Sequence, residues 1–229
     1  QALEAGARSV LLTPRAHNPT GASLDAKRAR ALRQLLAAYP QVAVLVDDHY
    51  ALLSQQAYHS VLPLDGRRWA LLRSLSKPLG PDLRLAFIAT DAGTAARLGM
   101  RLAPGTTWVS HLLQNLAVDL WRDDAATRRV AEAEAAYRAA RDGLCSALAD
   151  RGVIAHGRSG LNVWIPVPDE AVAMTALFAA GWAAAPGARF RIRGTAGLRV
   201  TIAELAPTDI PALADAVAAA VRGPGRASV

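Results

Sequence analysis

Lys77 is the residue whose type and surroundings point most directly to chemistry. It is one of two lysines in the chain, and it lies in the segment Ser74-Leu75-Ser76-Lys77-Pro78-Leu79-Gly80-Pro81, just after an apolar run. A partly desolvated lysine amine can form a Schiff base with a carbonyl compound. The neighbouring hydroxyls and the backbone of a turn can hold an anion, and Arg84 adds a guanidinium suited to phosphate. The alternative is a capping loop that binds no phosphate.

A second polar group, Asp47-Asp48-His49-Tyr50, follows the apolar run Val42 to Val46. Ligands of open α/β sheets bind beyond the carboxyl ends of the strands. A buried carboxylate facing a pyridine nitrogen would keep that nitrogen protonated, and a phenol three residues later could contact a ring oxygen. A metal cluster or a solvated turn is the alternative. The five histidines show no paired ligand spacing with acids or cysteine, so the sequence predicts no metal site.

The elements that must position these residues begin with strands at Ser9 to Leu12 and Val42 to Val46, with a helical pattern between them. We expect that helix to start with Ser23 as N-cap and Asp25 in its first turn. Pro40 ends it. Its predicted apolar face consists of Leu32, Leu35, Leu36 and Tyr39.

Two further strand candidates, Trp69 to Arg73 and Arg84 to Ala89, flank the Lys77 segment. Near-continuous apolar strands separated by helices predict an α/β fold with a mostly parallel sheet covered by helices on both faces. The turn Asn18-Pro19-Thr20-Gly21 follows the first strand; on local grounds it is only a turn, because Asn and Gly tolerate unusual backbone angles and Pro sets one.

From Asp91 onward the pattern becomes helical, and we place a domain boundary near Trp121. The predicted helices are a short one capped by Asp91, then Ser110 to Trp121, and a long one from about Asp124 to Asp150. The predicted elements that follow are a strand at Leu161 to Ile165, a helix at Glu170 to Ala180, a strand at Leu198 to Ile202 and a helix at Thr208 to Arg222. These elements predict a smaller α+β domain.

The composition is that of a globular protein: 52% of the 229 residues are apolar and 20% are charged. The single cysteine, Cys145, excludes a disulfide framework and favours a reducing compartment, so we expect the cytoplasm. The net charge of +7 comes from scattered arginines rather than a basic block, which argues against a nucleic-acid surface in this segment. The longest uncharged stretch, Ala171 to Ala188, is mostly alanine, and no membrane span is predicted.

Taken in order, Asn-Pro-Thr-Gly, Asp-x-x-Tyr and Ser-x-Ser-Lys-x-x-Gly-Pro-x-Leu-Arg resemble the fold-type I pyridoxal-phosphate aminotransferases. The late segment Gly197-Leu198-Arg199-Val200-Thr201-Ile202 looks like the C-terminal strand whose arginine binds the substrate carboxylate in that family. The resemblance covers about residues 9 to 222. It implies pyridoxal 5'-phosphate as the cofactor.

The resemblance also implies a role for each matching residue. Lys77 would be the Schiff-base lysine, and Asp47 the partner of the pyridine nitrogen. Asn18 and Tyr50 would hydrogen-bond the ring oxygen, with His49 as the alternative to Tyr50. The residues that would hold the phosphate are Ser74, Ser76 and Arg84. Arg199, together with Asn18, would bind the substrate carboxylate, and Arg193 is the competing candidate for that arginine.

Members of this family have a glycine-containing phosphate loop and a ring-stacking aromatic residue before the Asn-Pro-Thr-Gly turn. Neither feature is present in residues 1–17. We therefore expect either that the chain is the C-terminal part of a longer protein or that its cofactor site is incomplete. On the first interpretation, residues 1–120 are the C-terminal part of the large cofactor-binding domain, and residues 121–229 are a connecting helix and a small C-terminal domain.

Within the family, the compact lysine loop and Asp-Asp-His resemble the MocR group of GntR-type bacterial transcription regulators. The segments Thr106-Thr107-Trp108-Val109-Ser110-His111 and Gly160-Leu161-Asn162-Val163-Trp164 look most like the PtsJ subgroup. This resemblance implies an effector-sensing domain, a small amino-acid, amine or aldehyde ligand, a homodimer, and DNA binding through an upstream domain. The alternative is a catalytic class I/II aminotransferase that moves an amino group between an amino acid and a 2-oxo acid.

Overall fold

The computed structural model of the protein describes residues 1–63, 66, 68–105 and 108–222. They form two compact units. The first consists of residues 1–15 and 23–133, and the second of residues 16–22 and 134–222. The Asn-Pro-Thr-Gly turn thus belongs to the second unit, although it follows the first strand in sequence.

The first unit is built on a four-stranded sheet. Its strands are β1 (Ser9–Leu12), β2 (Ala43–Asp47), β3 (Trp69–Ser74) and β4 (Ala86–Thr90), in that spatial order. The first three strands are parallel and β4 is antiparallel to β3, so the predicted mostly parallel α/β sheet is confirmed. β4 reverses direction because only the Lys77 loop connects it to β3, whereas a parallel partner needs a long crossover.

The helices that begin in the first unit are α1 (Ala26–Ala37), α2 (Ala92–Leu102), α3 (His111–Arg122) and α4 (Asp124–Ala149). α1 does not start at Ser23 as predicted. Asp25 is its N-cap, and the carboxylate accepts a hydrogen bond of 2.7 Å from the Arg28 N–H. A carboxylate at this position satisfies one free amide and also faces the positive end of the helix dipole.

The buried face of α1 also differs from the prediction. Ala29 and Leu36 are buried and Leu32 packs against them, while Leu35 is half exposed. The predicted stripe included Leu35 because it lies three residues after Leu32. The observed contacts follow the line through Ala29, Leu32 and Leu36, from which Leu35 is rotated away.

The second unit pairs an antiparallel sheet with two helices. Its elements are β5 (Asn162–Pro166), α5 (Glu170–Ala179), β6 (Ala185–Pro186), β7 (Gly197–Thr201) and α6 (Ile210–Arg222). The strand order is β5-β7-β6. The two-residue strand β6 was missed in the sequence because it is too short for a hydrophobic pattern. The core combines this sheet, α5, α6 and the second half of α4, where Leu144 and Leu148 are fully buried.

Two charged residues of α4 are buried, which the apolar stripe did not predict. They are Glu134 and Arg141, and the Arg141 guanidinium donates to the Gly160 carbonyl at 3.3 Å and to Asp142 at 2.9 Å. Cys145 is partly buried in the core, and burial raises the pKa of its thiol, as expected for a packing residue. Among the residues described, no helix combines the length and the apolar character needed to cross a membrane.

Candidate functional site

Asp48 lies at the carboxyl end of β2, and its carboxylate is completely buried. Arg15 donates to it from Nε at 2.7 Å and from Nη2 at 2.9 Å, and Arg73 donates from Nε at 3.0 Å. The bidentate pair with Arg15 and the bond from Arg73 occupy three of the roughly four acceptor positions of the carboxylate. Asp48 therefore ties β3 and the segment after β1 to β2, and it has little acceptor capacity left for a ligand.

Tyr58 completes this ion cluster, in which Asp48 and Arg15 are the buried members. The guanidinium carbons of Arg15 and Arg73 lie 5.7 and 5.5 Å from the centre of its ring, within the range of cation–π contacts. Burial raises the pKa of the Tyr58 hydroxyl. Sequence reasoning missed the cluster of Asp48, Arg15, Arg73 and Tyr58. The available signal was an acid at the end of a buried strand, which requires cationic partners.

Asp47, the predicted partner of a pyridine nitrogen, has the opposite environment. Its side chain is 39% exposed, because neighbouring residues of a strand point to opposite faces of the sheet. Its Oδ1 lies 3.0 Å from His49 Nδ1, within ion-pair distance but outside hydrogen-bond geometry. The Asp47 carboxylate thus keeps acceptor capacity for a cationic or protonated ligand.

Tyr50 is buried and immediately precedes a short helical turn, Ala51–Leu53. Its ring centre is 4.6 Å from that of His49, with the planes tilted by 52°. The two residues that we considered for the ring oxygen are therefore in contact with each other, and the predicted role of either one stays a prediction.

The Lys77 loop, residues 75–85, is anchored by leucines. Leu75, Leu83 and Leu85 are buried in a small core with Ala117 of α3, and Leu79 packs against it. The Ser76 hydroxyl donates to the Leu83 carbonyl at 2.6 Å, and the Ser74 hydroxyl accepts from the Ser76 N–H at 3.2 Å. The two serines predicted to hold phosphate therefore also brace the loop that carries Lys77.

The two cations of this loop are exposed. The side chains of Lys77 and Arg84 point away from the leucine core, and within the described part of the chain no ion pair engages either one. Asp47 pairs with Leu72 in the register of β2 and β3, so Asp47 and the start of the Lys77 loop share one edge of the sheet. This edge offers an amine, a guanidinium and a carboxylate to an anionic ligand with a basic nitrogen.

In the second unit, Arg199 of β7 and Asn18 of the Asn-Pro-Thr-Gly turn are in contact. Arg199 Nη1 donates to Asn18 Oδ1 at 3.1 Å. The Arg199 guanidinium also lies over the Phe190 ring, at 4.6 Å from its centre. Arg193, the competing candidate, is exposed on the segment before β7, and among the described residues the hydrogen bond to Asn18 comes from Arg199 instead.

The turn that carries Asn18 is held by its glycine. Gly21 has φ +61°, and a Cβ there would lie 2.9 Å from Gly157 Cα and 3.0 Å from the carbonyl oxygens of Ser159 and Asn162. The Gly21 carbonyl accepts from the Ser159 N–H at 3.0 Å. A side chain at position 21 would therefore displace the turn from β5, since both the backbone angle and the space favour glycine.

The two segments that resembled the PtsJ subgroup are described in part. Thr106 and Thr107 lie outside the described residues. Trp108 is 71% exposed, and its ring centre lies 4.8 Å from that of His111. The second segment forms the start of β5, where Trp164 packs its ring on Gly187 and Gly197.

Proteins of known function that are similar to this chain include two regulators. The vitamin B6 salvage pathway transcriptional repressor PtsJ of Salmonella typhimurium is 44% identical over 217 residues, which are 93% of this chain and 50% of that protein. The HTH-type transcriptional regulator TauR of Rhodobacter capsulatus is 31% identical over 181 residues, 72% of this chain and 35% of that protein. The chain spans about half the length of the first relative.

Solved structures with the same fold include aminotransferases. The kynurenine aminotransferase of Pyrococcus horikoshii matches 94% of this chain and 56% of its own, with a TM-score of 0.82 and 21% identity. The aspartate aminotransferase of Thermus thermophilus with maleate matches 92% of this chain and 56% of its own, with a TM-score of 0.79 and 22% identity. These likenesses confirm the predicted fold.

The comparison with protein families confirms the family that the ordered motifs resembled. The sequence matches the model of aminotransferase class I and II over residues 1–217. That range includes all of the candidate residues of both units. The chain therefore belongs to the aminotransferase class I and II family.

Proposed function

We propose that the chain is a pyridoxal-phosphate-binding, aminotransferase-like domain that senses an effector in a MocR/GntR-type transcription regulator. The observation that carries the regulatory part is the 44% identity with a transcriptional repressor over 93% of the chain. The aminotransferases of known structure are at most 22% identical among those compared above, and that likeness supports only the fold.

The residues at the edge of the first sheet fit the proposed cofactor. Arg15 and Arg73 donate hydrogen bonds to the Asp48 carboxylate, so Asp47 is the carboxylate that remains for the pyridine nitrogen. Lys77 would attach the cofactor through its Nζ, and Arg84, Ser74 and Ser76 would hold its phosphate. Pyridoxal phosphate supplies an aldehyde and a protonatable ring that takes up electrons from a bound substrate.

The proposed ligand is a small amino acid, or an amine or aldehyde. Asn18 and Arg199 would bind its carboxylate, because a guanidinium already oriented by an amide is suited to a planar anion. Asn18 and Tyr50 are also proposed to hydrogen-bond the cofactor ring oxygen. The intact protein is proposed to be a cytoplasmic homodimer with a separate DNA-binding domain, and the chain to divide into domains near residue 120.

Catalytic transamination is the second candidate. The observation that favours it is the exposed Lys77 amine, which no ion pair engages within the described residues. In its neutral form a lysine amine can accept the proton of a substrate carbon and return it elsewhere, as a general base requires. A sensor and an enzyme would therefore use the same residues and differ in whether an amino acid is turned over.

Covalent attachment to Lys77 is tested by borohydride reduction of the intact protein loaded with pyridoxal phosphate, followed by peptide mapping. Lys27 is the matched control, because it is the other one of the two lysines. We expect the label on Lys77, its loss in Lys77→Arg, and no effect of Lys27→Arg. A label on Lys27 or on the N-terminus alone would show that the cofactor site is assigned to the wrong residue.

Regulation and catalysis are distinguished in the same preparation. A regulator is expected to change its affinity for DNA when an amino compound is added, without forming a 2-oxo acid. Steady production of 2-oxo acid with no DNA binding would support the enzyme instead. The upstream reading frame gives the same distinction, because a basic winged helix indicates a regulator and an aminotransferase N-terminus indicates an enzyme.

A further inference from the structure

The segment that leads from the end of β6 into the first residue of β7, residues 188–197, is called loop 188–197 here. It carries three exposed arginines, Arg189, Arg191 and Arg193, and the fully exposed Ile192. Repulsion among these cations and the absence of apolar anchors at 191–195 would leave such a loop mobile. It also carries Phe190, whose ring lies over the Arg199 guanidinium. The position of Phe190 therefore depends on what holds the loop.

Glu170, the first residue of α5, holds both ends of loop 188–197. Its Oε2 accepts from the Ala188 N–H at 2.8 Å, and its Oε1 accepts from the Gly197 N–H at 3.1 Å. Burial alone would raise the pKa of the Glu170 carboxyl, but the hydrogen bonds from Ala188 and Gly197 and the charge of Arg191 outweigh it and lower the pKa. The carboxylate is thus charged and occupied at neutral pH.

Arg191 links this carboxylate to the middle of the loop. Its Nη2 lies 3.1 Å from Glu170 Oε1, and its Nη1 donates to the Gly194 carbonyl at 3.1 Å. Trp164 supports the same region from β5, because a Cβ at Gly187 or Gly197 would lie within 2.4 Å of its ring. The two ends and the middle of the loop are therefore all bonded to the Glu170 carboxylate, and the Trp164 ring packs against the glycines at its ends.

Arg199 has a nitrogen left for a ligand. Its Nη1 is used by Asn18, while its Nε is buried and has no hydrogen-bond partner among the described residues. A buried guanidinium nitrogen without an acceptor costs free energy, and a carboxylate would relieve that cost. Phe190 covers one face of the guanidinium and so limits the directions in which it can turn.

We propose that Glu170 is a positioning residue for carboxylate binding: it fixes loop 188–197 and thereby keeps Phe190 over Arg199. The inference rests on the proposed function, in which Arg199 binds the carboxylate of the ligand. Glu170 itself makes no contact with the ligand in this proposal. Its effect reaches the ligand through Phe190.

The test compares L-alanine with ethylamine, which is the same amine without the carboxylate. Binding of each to the intact, cofactor-loaded protein is followed by the absorbance of the cofactor. Glu170→Gln places an amide donor against one of the two backbone N–H groups, so the hydrogen bond at one end of loop 188–197 is lost. We expect the affinity for L-alanine to fall about tenfold, within the range of a cation–π contact, and the affinity for ethylamine to stay unchanged.

Glu204→Gln is the matched control, because it removes an exposed carboxylate of the same unit without touching the loop. It is expected to leave both affinities unchanged. A second measurement needs no cofactor: hydrogen exchange of the Ala188 and Gly197 amides should accelerate in Glu170→Gln and not in Glu204→Gln.

A double-mutant cycle that combines Glu170→Gln with Phe190→Leu tests whether Glu170 acts on ligand binding through Phe190. If Glu170 acts through Phe190, the two losses of L-alanine affinity are not additive, and the double variant resembles either single one. Additive losses, an equal loss for L-alanine and ethylamine, or no loss in Glu170→Gln would each overturn this inference while leaving the proposed function intact. If neither compound changes the absorbance of the unaltered protein, the proposed function is wrong and the inference fails with it.

Discussion

Asp47 and Asp48 are adjacent and identical in type, yet they have different environments. The alternation of a strand turns Asp48 into the interior, where Arg15 and Arg73 pair with it, and leaves Asp47 at the exposed edge. A buried carboxylate contributes to stability because its removal leaves a buried cation, here Arg15, without a countercharge. Substitution of Asp48 is therefore expected to affect stability, and substitution of Asp47 is expected to affect ligand binding.

Asp48→Asn should lower the free energy of unfolding by about 3 kcal/mol, because Arg15 would remain buried without a countercharge. Urea denaturation of the intact protein, followed by tryptophan fluorescence, measures the change. A loss below about 1 kcal/mol, the range of an exposed pair, would contradict the buried cluster.

Asp47→Asn should leave the free energy of unfolding within about 0.5 kcal/mol of the original, because the side chain is partly exposed. It should change the absorbance of the bound cofactor, since the amide removes the charge that keeps the ring nitrogen protonated. In an enzyme, turnover would fall by orders of magnitude while the cofactor still binds. The assignment is wrong if Asp47→Asn leaves the spectrum unchanged while Asp48→Asn alters it.

At the scale of elements, helix ends and turns determine where the candidate residues lie. Asp91 caps α2 and also accepts from the backbone N–H of Trp69, so it ties the start of β3 to the helix after β4. Gly21 seats the turn that presents Asn18. Each of these positions favours its residue type for a stated physical reason.

Asp91 predicts a pH dependence at low pH. Hydrogen bonding to the Thr94 side chain is the largest of the contributions that lower the pKa of the Asp91 carboxyl from 3.8 to about 2. Since the pKa in the folded state is the lower one, the stabilisation is complete above pH 3.8 and is lost as the pH falls towards 2. An NMR titration of the Asp91 carboxyl should give a midpoint near pH 2. Asp91→Asn should remove the change in unfolding free energy with pH between about 2 and 4. A midpoint at the ordinary value of 3.8 would show that the Asp91 carboxylate does not accept the hydrogen bonds that cap α2.

Gly21→Ala should destabilise the second unit more than Gly152→Ala does. Both glycines have positive φ, but a Cβ at Gly152 meets nothing within 4 Å, whereas at Gly21 it meets backbone atoms at 2.9 to 3.0 Å. Gly152→Ala is expected to cost about 1 kcal/mol for backbone strain alone. Gly21→Ala should cost about 3 kcal/mol or more, because strain and displacement add. Equal losses in thermal unfolding would show that the turn adjusts freely.

At the scale of the whole molecule, the first unit exposes many large apolar side chains. Trp108 and Leu112 are 71% and 81% exposed, and Phe87 of β4 and Trp121 of α3 are more than half exposed. An exposed apolar surface of this kind is typical of interaction sites. It is compatible with the proposed homodimer.

The intact protein is therefore expected to sediment as a dimer at micromolar concentration. Analytical ultracentrifugation over a concentration series measures the mass and any dissociation. The expectation follows from the family resemblance and from the exposed apolar residues together. A monomer across the whole series would contradict it.

Much of the fold and the order of the motifs could be predicted from the sequence. β1, α3 and α5 lie within one residue of their expected bounds, because periodicity, caps and Gly or Pro breaks act over a few residues. Lys77 stood out by its rarity and Asp47 by its place after a buried strand, whereas Arg199 came from the family resemblance, and that family is confirmed.

Only the tertiary structure decided how distant residues pair. Arg15 lies 33 residues before Asp48, and Arg199 lies 181 residues after Asn18, so no local pattern links the partners. The hydrogen bonds of Glu170 form because two backbone N–H groups that are distant in sequence, those of Ala188 and Gly197, lie beside one carboxylate. A sequence pattern shows that a buried acid needs a partner, but the partner is selected by the packing of strands and helices, which brings chosen atoms within hydrogen-bond distance.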